Sequence, residues 1–134
     1  MPQDAPSLTT YAPSLHPAIP QLPSGDLQRT ADFFRDRLGF TDIKLFPENG
    51  HLIVRRGSAE IHFWLAGSED EARHHGSASS CYIRVHHIEQ LHQELVQRQA
   101  PFRYGLTCQP GGMHEMQVDD PFGNAIRFGE ELGD

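Results

Sequence analysis

What the chain is short of narrows its possible roles before any motif is read. It holds only two cysteines, Cys81 and Cys108, too few for a disulfide-built fold, and two such residues are expected to be reduced thiols. Cys81 sits in a strand-like run and reads as a small core residue. No apolar run approaches the ~20 residues a membrane-spanning helix needs. The N-terminal stretch MPQDAPSLTTYAPSLHP has an acid, no basic patch and no apolar centre, so it does not read as a signal peptide, and a cytoplasmic protein is expected. Lys44 is the only lysine; 11 basic residues face 18 acidic ones, a formal net charge of −7. That balance excludes nucleic acid as partner, because phosphate backbones are gripped by clustered Lys and Arg. An acidic protein draws cationic molecules at long range instead.

What is present is a soluble composition: 37% hydrophobic and 22% charged residues over 134 positions, about one domain. Residues 1–14, rich in Pro, Ser and Thr without periodicity, read as a flexible arm. A short apolar run, Ala18–Leu22, broken by Pro20, predicts an irregular edge strand. Ser24 or Asp26 then offers an N-cap. Leu27, Ala31, Phe34 and Leu38 fall at i, i+4, i+7 and i+11, one helical stripe that Gly39 ends. Strands are predicted at Thr41–Phe46, His51–Arg55 and Glu60–Leu65, separated by turn sequences.

Gly67–Ser79 is polar and small and reads as a linker. The same order then returns: a strand at Ser80–Val85, a helix striped by Ile88, Leu91 and Leu95, a weak strand at Pro101–Leu106, and strands at Met113–Val118 and Ala125–Phe128. The last strands of the two halves share x-Ile-x-Phe (Glu60–Phe63 and Ala125–Phe128). A repeat of about 60 residues implies a duplicated βαβββ module, each copy needing the other to cover its sheet. The expected architecture is α+β: module 1 over 15–66, a linker over 67–79 and module 2 over 80–131, all within one domain spanning 15–134.

The segment DLQRTADFFRDRLGF (Asp26–Phe40), the DDPFGN turn (Asp119–Asn124) and the repeated strand-helix-three-strand order resemble the glyoxalase/bleomycin-resistance/dioxygenase superfamily. Within it, Phe46–Trp64 and Ser80–Val85 look closest to transposon-encoded bleomycin-resistance proteins. The resemblance runs from about residue 16 to 131. It implies curved mixed sheets around a cleft, and a homodimer whose grooves draw on both subunits, with modules exchanged between chains. It also implies a small-molecule drug as ligand and no chemistry.

Enzymes of the superfamily hold a divalent metal with His and Glu from the first and last strand of each module. Carried over by position, those places are Ile19, His62, Ser80 and Arg127. A catalytic metal wants about three strong ligands and an open position, and only His62 qualifies. No metal, cofactor or catalytic residue is therefore expected. His74, His75, His86, His87 and His92 are expected to be solvated.

Strand alternation separates core from groove. Ile61, Phe63 and Leu65 alternate with Glu60, His62 and Trp64; Cys81, Ile83 and Val85 with Ser80, Tyr82 and Arg84; Leu52 and Val54 with His51, Ile53 and Arg55. Ile126 and Phe128 leave Arg127 for the groove. The expected ligand-binding set is Phe46, His51, Glu60, His62, Trp64, Tyr82, Arg84, Met113, Glu115 and Arg127. Rings suit stacking on a heteroaromatic drug, and the acids Glu60 and Glu115 suit its cationic end. Arg84 and Arg127 could serve the ligand or pair with those acids. Where the transposon-type proteins carry aromatics, this chain has His51 and the run Gly111-Gly112-Met113.

Three functions follow: drug sequestration without chemistry; a glyoxalase-like lyase or thiol transferase, metal-dependent or metal-free with His62 as base beside Glu115; or a binder or sensor of another aromatic metabolite.

Overall fold

The computed structural model describes residues 11–132. Of the expected arm, residues 1–10 lie outside the described residues, and 11–14 are exposed and belong to no helix or strand. Module 1 consists of β1 (Gln21–Ser24), α1 (Leu27–Leu38), β2 (Asp42–Phe46), β3 (His51–Arg56) and β4 (Ala59–Leu65). A second helix, α2 (Glu69–Gly76), follows. Module 2 is β5 (Ser80–Arg84), α3 (Ile88–Gln97), β6 (Phe102–Gln109), β7 (Met113–Asp119) and β8 (Ala125–Glu131). Each module forms a four-stranded mixed sheet, in the orders β1-β4-β3-β2 and β5-β8-β7-β6. The first strand of each pairs in parallel with the last. The α+β class and the duplicated module are thus as the repeat predicted.

β6 and β8 run on past their expected ends, to Gln109 and Glu131, and two larger differences separate the fold from the sequence reading. The first strand begins at Gln21, not Ala18, and carries Pro23 rather than Pro20. Pro23 is tolerated because β1 is an edge strand. Gly67–Ser79 is not plain linker, because it contains α2. That helix buries only Ala72 and Gly76, so it carries almost no hydrophobic period. It forms through its ends: the Ser68 hydroxyl accepts from the Glu71 N–H, three acids fill the first turn, and Arg73, His74 and His75 fill the last.

α1 follows its stripe. Asp26 caps it by accepting from the Arg29 N–H, and Gly39 closes it in the left-handed region at φ 72°. Its apolar face buries Phe34, whose ring meets those of Phe40 and Phe63 edge-on at 5.4 and 5.1 Å. Truncating Phe34 to alanine would cost about 3–5 kcal/mol on these grounds. α3 has no side-chain cap of its own. Glu130 on β8 caps it from outside, accepting from the backbone N–H groups of His87 and Ile88 at 3.0 Å each.

The modules share one core, in which Phe34, Leu38 and Phe40 meet Leu95, Met116 and Phe128. At its edge Glu94 accepts from Arg56 on one side and Arg98 on the other at 2.7 Å each, and Arg37 donates to the Arg98 carbonyl at 3.0 Å. The Asp119–Asn124 turn is a second tie. Asn124 donates to the Pro23 carbonyl at 2.9 Å across 101 residues of chain. Phe122 is fully buried with Ala66 and Ala72, under the guanidinium groups of Arg29 and Arg73. A Cβ on Gly25 would come within 2.7 Å of the Phe122 ring, so that position demands glycine. The signature turn is therefore a buckle between modules.

Candidate functional site

Each sheet buries one face on the helices and leaves the other half-exposed, as strand alternation predicted except at Leu65, which the end of β4 leaves 46% exposed. Leu52, Val54, Ile61, Phe63, Cys81, Ile126 and Phe128 are buried. The ten expected site residues all stand on the opposite faces. They form two groups rather than one.

On the module 1 sheet the group is aromatic and imidazole. His51 sits opposite Trp64 and His62 opposite Ile53 in the β3–β4 register. The His51 and His62 rings meet edge to face at 5.1 Å, and Phe46 lies 6.3 Å from His51. Trp64 is 39% exposed and 5.7 Å from the His75 ring on α2. Phe46, 43% exposed, completes an open row of flat rings. The acid here is Glu60. Its Oε2 lies 2.6 Å from Nε2 of His62, and its other oxygen accepts from Arg55 at 2.8 Å. These two contacts, Arg55 first and His62 second, hold the Glu60 carboxyl below its ordinary range.

On the module 2 sheet the group is phenolic and charged. Tyr104 donates to Glu115 in a short hydrogen bond. Burial, reinforced by that carboxylate, pushes the Tyr104 phenol up to about 12. Tyr82 is shifted upward by the same two causes. The hydroxyl end of its ring sits against Gly129, where any Cβ would overlap it. Arg127 donates to Gln117 at 2.9 Å, which donates in turn to Asp119 at 2.8 Å. Met113 stands half-buried at the far end of β7.

Several expected pairings are corrected. The acid beside His62 is Glu60, two residues away on the same strand face; Glu115 belongs to the other sheet. Neither Arg84 nor Arg127 pairs with Glu60 or Glu115: Arg55 takes Glu60, and Gln117 holds Arg127. His92, expected to be solvated, is half-buried against Phe102, ring centroids 5.2 Å apart; His75 is exposed as expected, beside Trp64. Tyr104, Gln117 and Gly129 were missed. Among the described residues no hydrogen bond, ion pair or ring contact joins the two groups. Only Glu60, Tyr82 and Arg84 come near one another, lining a cavity of about 690 Å³ between the modules.

The donor set does not fit the metal that superfamily enzymes use. Along the parallel pairs, Gln21 faces His62 and Tyr82 faces Arg127. Ile19 and Ser80 bring no strong donor, and Arg127 brings a fixed positive charge. The imidazole nitrogen of His62 is engaged by Glu60. Among the described residues no three His, Cys, Asp or Glu side chains are grouped to hold an ion.

The model of the Glyoxalase/Bleomycin resistance protein/Dioxygenase superfamily matches residues 15–128. The chain belongs to this superfamily. The bleomycin resistance protein of Geobacillus stearothermophilus is 31% identical to it, over 86% of this chain and 96% of that one. A bleomycin resistance protein of Staphylococcus aureus matches to the same extent. Among solved structures, the bleomycin resistance determinant encoded on transposon Tn5 superposes with a TM-score of 0.72 at 26% identity, covering 87% of this chain and 98% of that one. The bleomycin-binding protein of Streptomyces verticillus, solved with copper(II)-bleomycin, shares the fold at a TM-score of 0.72 and 24% identity, over 92% of this chain and all of that one. No helix among the described residues is long and apolar enough to cross a membrane.

Proposed function

We propose that this protein sequesters a bleomycin-type drug, a bulky molecule with flat heteroaromatic rings and a cationic end, without performing chemistry on it. The observation that carries the reading is the 31% identity to bleomycin resistance proteins across nearly their whole length. The open row Phe46, His51, His62 and Trp64 is the surface on which such rings would stack. The remaining residues of the site are Glu60, Tyr82, Arg84, Met113, Glu115 and Arg127, with Tyr104 added. Because the two groups stand on separate sheets of one chain, the complete groove pairs the module 1 face of one protomer with the module 2 face of its partner. The working protein is then a cytoplasmic homodimer with two grooves.

Calorimetric titration with metal-free bleomycin and with its copper complex tests the ligand. Saturation near one drug per chain is expected, and absence of saturable binding up to ~100 μM would refute the reading, being far weaker than useful sequestration. Light scattering tests the shared groove. With a chain of 15.1 kDa, a mass of two chains, about 30 kDa, is expected under dimer symmetry. A monomer at micromolar concentration would sink it.

A further inference from the structure

We propose a second ligand site, in the cavity between the modules, that takes a small amphiphilic anion: an apolar ring system or chain carrying one carboxylate- or sulfonate-type group, with Arg84 as its counter-charge. The cavity, about 690 Å³, is within the range of small-molecule sites. One side of it is apolar: half-buried Ala59, Ile83, Val85 and Leu91 line it, over the buried Phe40, Ile61 and Phe128. Such walls take an apolar body.

The polarity of the rim decides the charge. Two acids line the cavity, and both are already neutralised. Glu60 is held by Arg55 at 2.8 Å and by His62 at 2.6 Å. Glu94 is held by Arg56 and Arg98 at 2.7 Å each. The cation Arg56 is spent on Glu94, and His86 lies 3.9 Å from Glu130. Arg84, exposed at the end of β5, takes part in no hydrogen bond or ion pair among the described residues. The uncompensated charge at the mouth is therefore positive, although the chain as a whole carries −7. A cation would find no free carboxylate there. An anion would find a planar, permanently charged guanidinium suited to bidentate pairing. The site lies at the Ala59–Ile61 end of β4, whereas the ring row is centred at the Trp64 end; Glu60, Tyr82 and Arg84 border both.

The probe is 8-anilinonaphthalene-1-sulfonate, whose fluorescence rises in apolar surroundings, compared with uncharged N-phenyl-1-naphthylamine on the full chain. Saturable one-to-one binding of the sulfonate is expected, at least tenfold tighter than the neutral analogue. The exposed substitution Arg84→Glu should raise the sulfonate Kd at least tenfold and leave the neutral compound within twofold. Equal affinity for the two probes, or a sulfonate Kd within twofold in Arg84→Glu, would overturn the proposal. So would loss of sulfonate binding in Trp64→Ala, which would place the probe on the ring row. Probe binding that grows only as a dimer dissociates would overturn it too, by showing that a second copy fills the cavity.

Discussion

Acidifying this protein from neutrality should strengthen one contribution to its stability, that of Asp120. Asp120, in the buckle between the modules, is 5% exposed. Burial drives its carboxyl up to about 6, against hydrogen bonds from Asn124 and from the Phe122 and Asn124 backbone that work to lower it. Its folded-state pKa lies above the unfolded value of 3.8. Folding therefore favours the protonated form. That contribution is complete below the unfolded pKa and fades as pH rises through the folded one. For a single group with these values, stability at pH 5 exceeds that at pH 7.5 by about 1.4 kcal/mol. That corresponds to about 5 °C in Tm for a domain of this size. Other groups titrate too, so the informative quantity is the difference between wild type and Asp120→Asn, followed by urea unfolding at both values. Wild type should gain about 1.4 kcal/mol relative to the variant between pH 7.5 and pH 5. A difference independent of pH would show that Asp120 titrates in its ordinary range and that the burial argument is wrong. If the variant does not fold, the carboxyl carbon shift of Asp120 in wild-type protein gives the same answer. A midpoint near 4 would refute it.

Two substitutions probe the groove. Trp64→Ala removes the largest open ring of the module 1 face and should raise the Kd for bleomycin roughly tenfold, the value of one good aromatic stack; unchanged calorimetric affinity would remove Trp64 from the site. Gly129→Ala forces the Tyr82 ring off its seat and away from Glu115. Drug affinity should fall while circular dichroism stays native, and retention of full affinity would show that Tyr82 does not contact the drug.

Much of this geometry was legible because side-chain period is a strong signal. The stripe Leu27, Ala31, Phe34, Leu38 specified α1, and alternation along β4 and β5 separated Phe63 from His62 and Ile83 from Tyr82. α2 was hidden because it needs no apolar stripe: it lies over one buried alanine and is formed by capping and charge at its ends. Ser68 followed by Glu69, Asp70 and Glu71 was the available sign. Tyr104 was hidden for a different reason. β6 shifts register twice against β7, between Phe102 and Tyr104 and again before Thr107, so counting along the strand does not place its phenol against Glu115. Pairings between sheets carry no period at all. That is why Glu115 was set beside His62 when Glu60, two residues away on the same face, was the nearer acid.

The residues that make the superfamily recognisable are largely not those that would touch a ligand. Phe122 and Asn124 fasten the second module onto β1 and α2, and Phe34 fills the shared core; all three are fully buried. They fix how the two sheets sit, helices inward and polar faces outward, in an enzyme or a binder alike. What distinguishes this chain lies on those outward faces. Where superfamily enzymes carry metal ligands, it has one imidazole bound to Glu60 and an arginine bound to Gln117. On the face where we propose that a drug's rings stack, it has Phe46, His51 and Trp64. Since helices occupy the inner face of both sheets, no rearrangement within one chain brings Trp64 opposite Tyr82 without opening the core around Phe34. A groove using both faces therefore requires a second copy, and drug binding and dimerisation should be lost together on dilution.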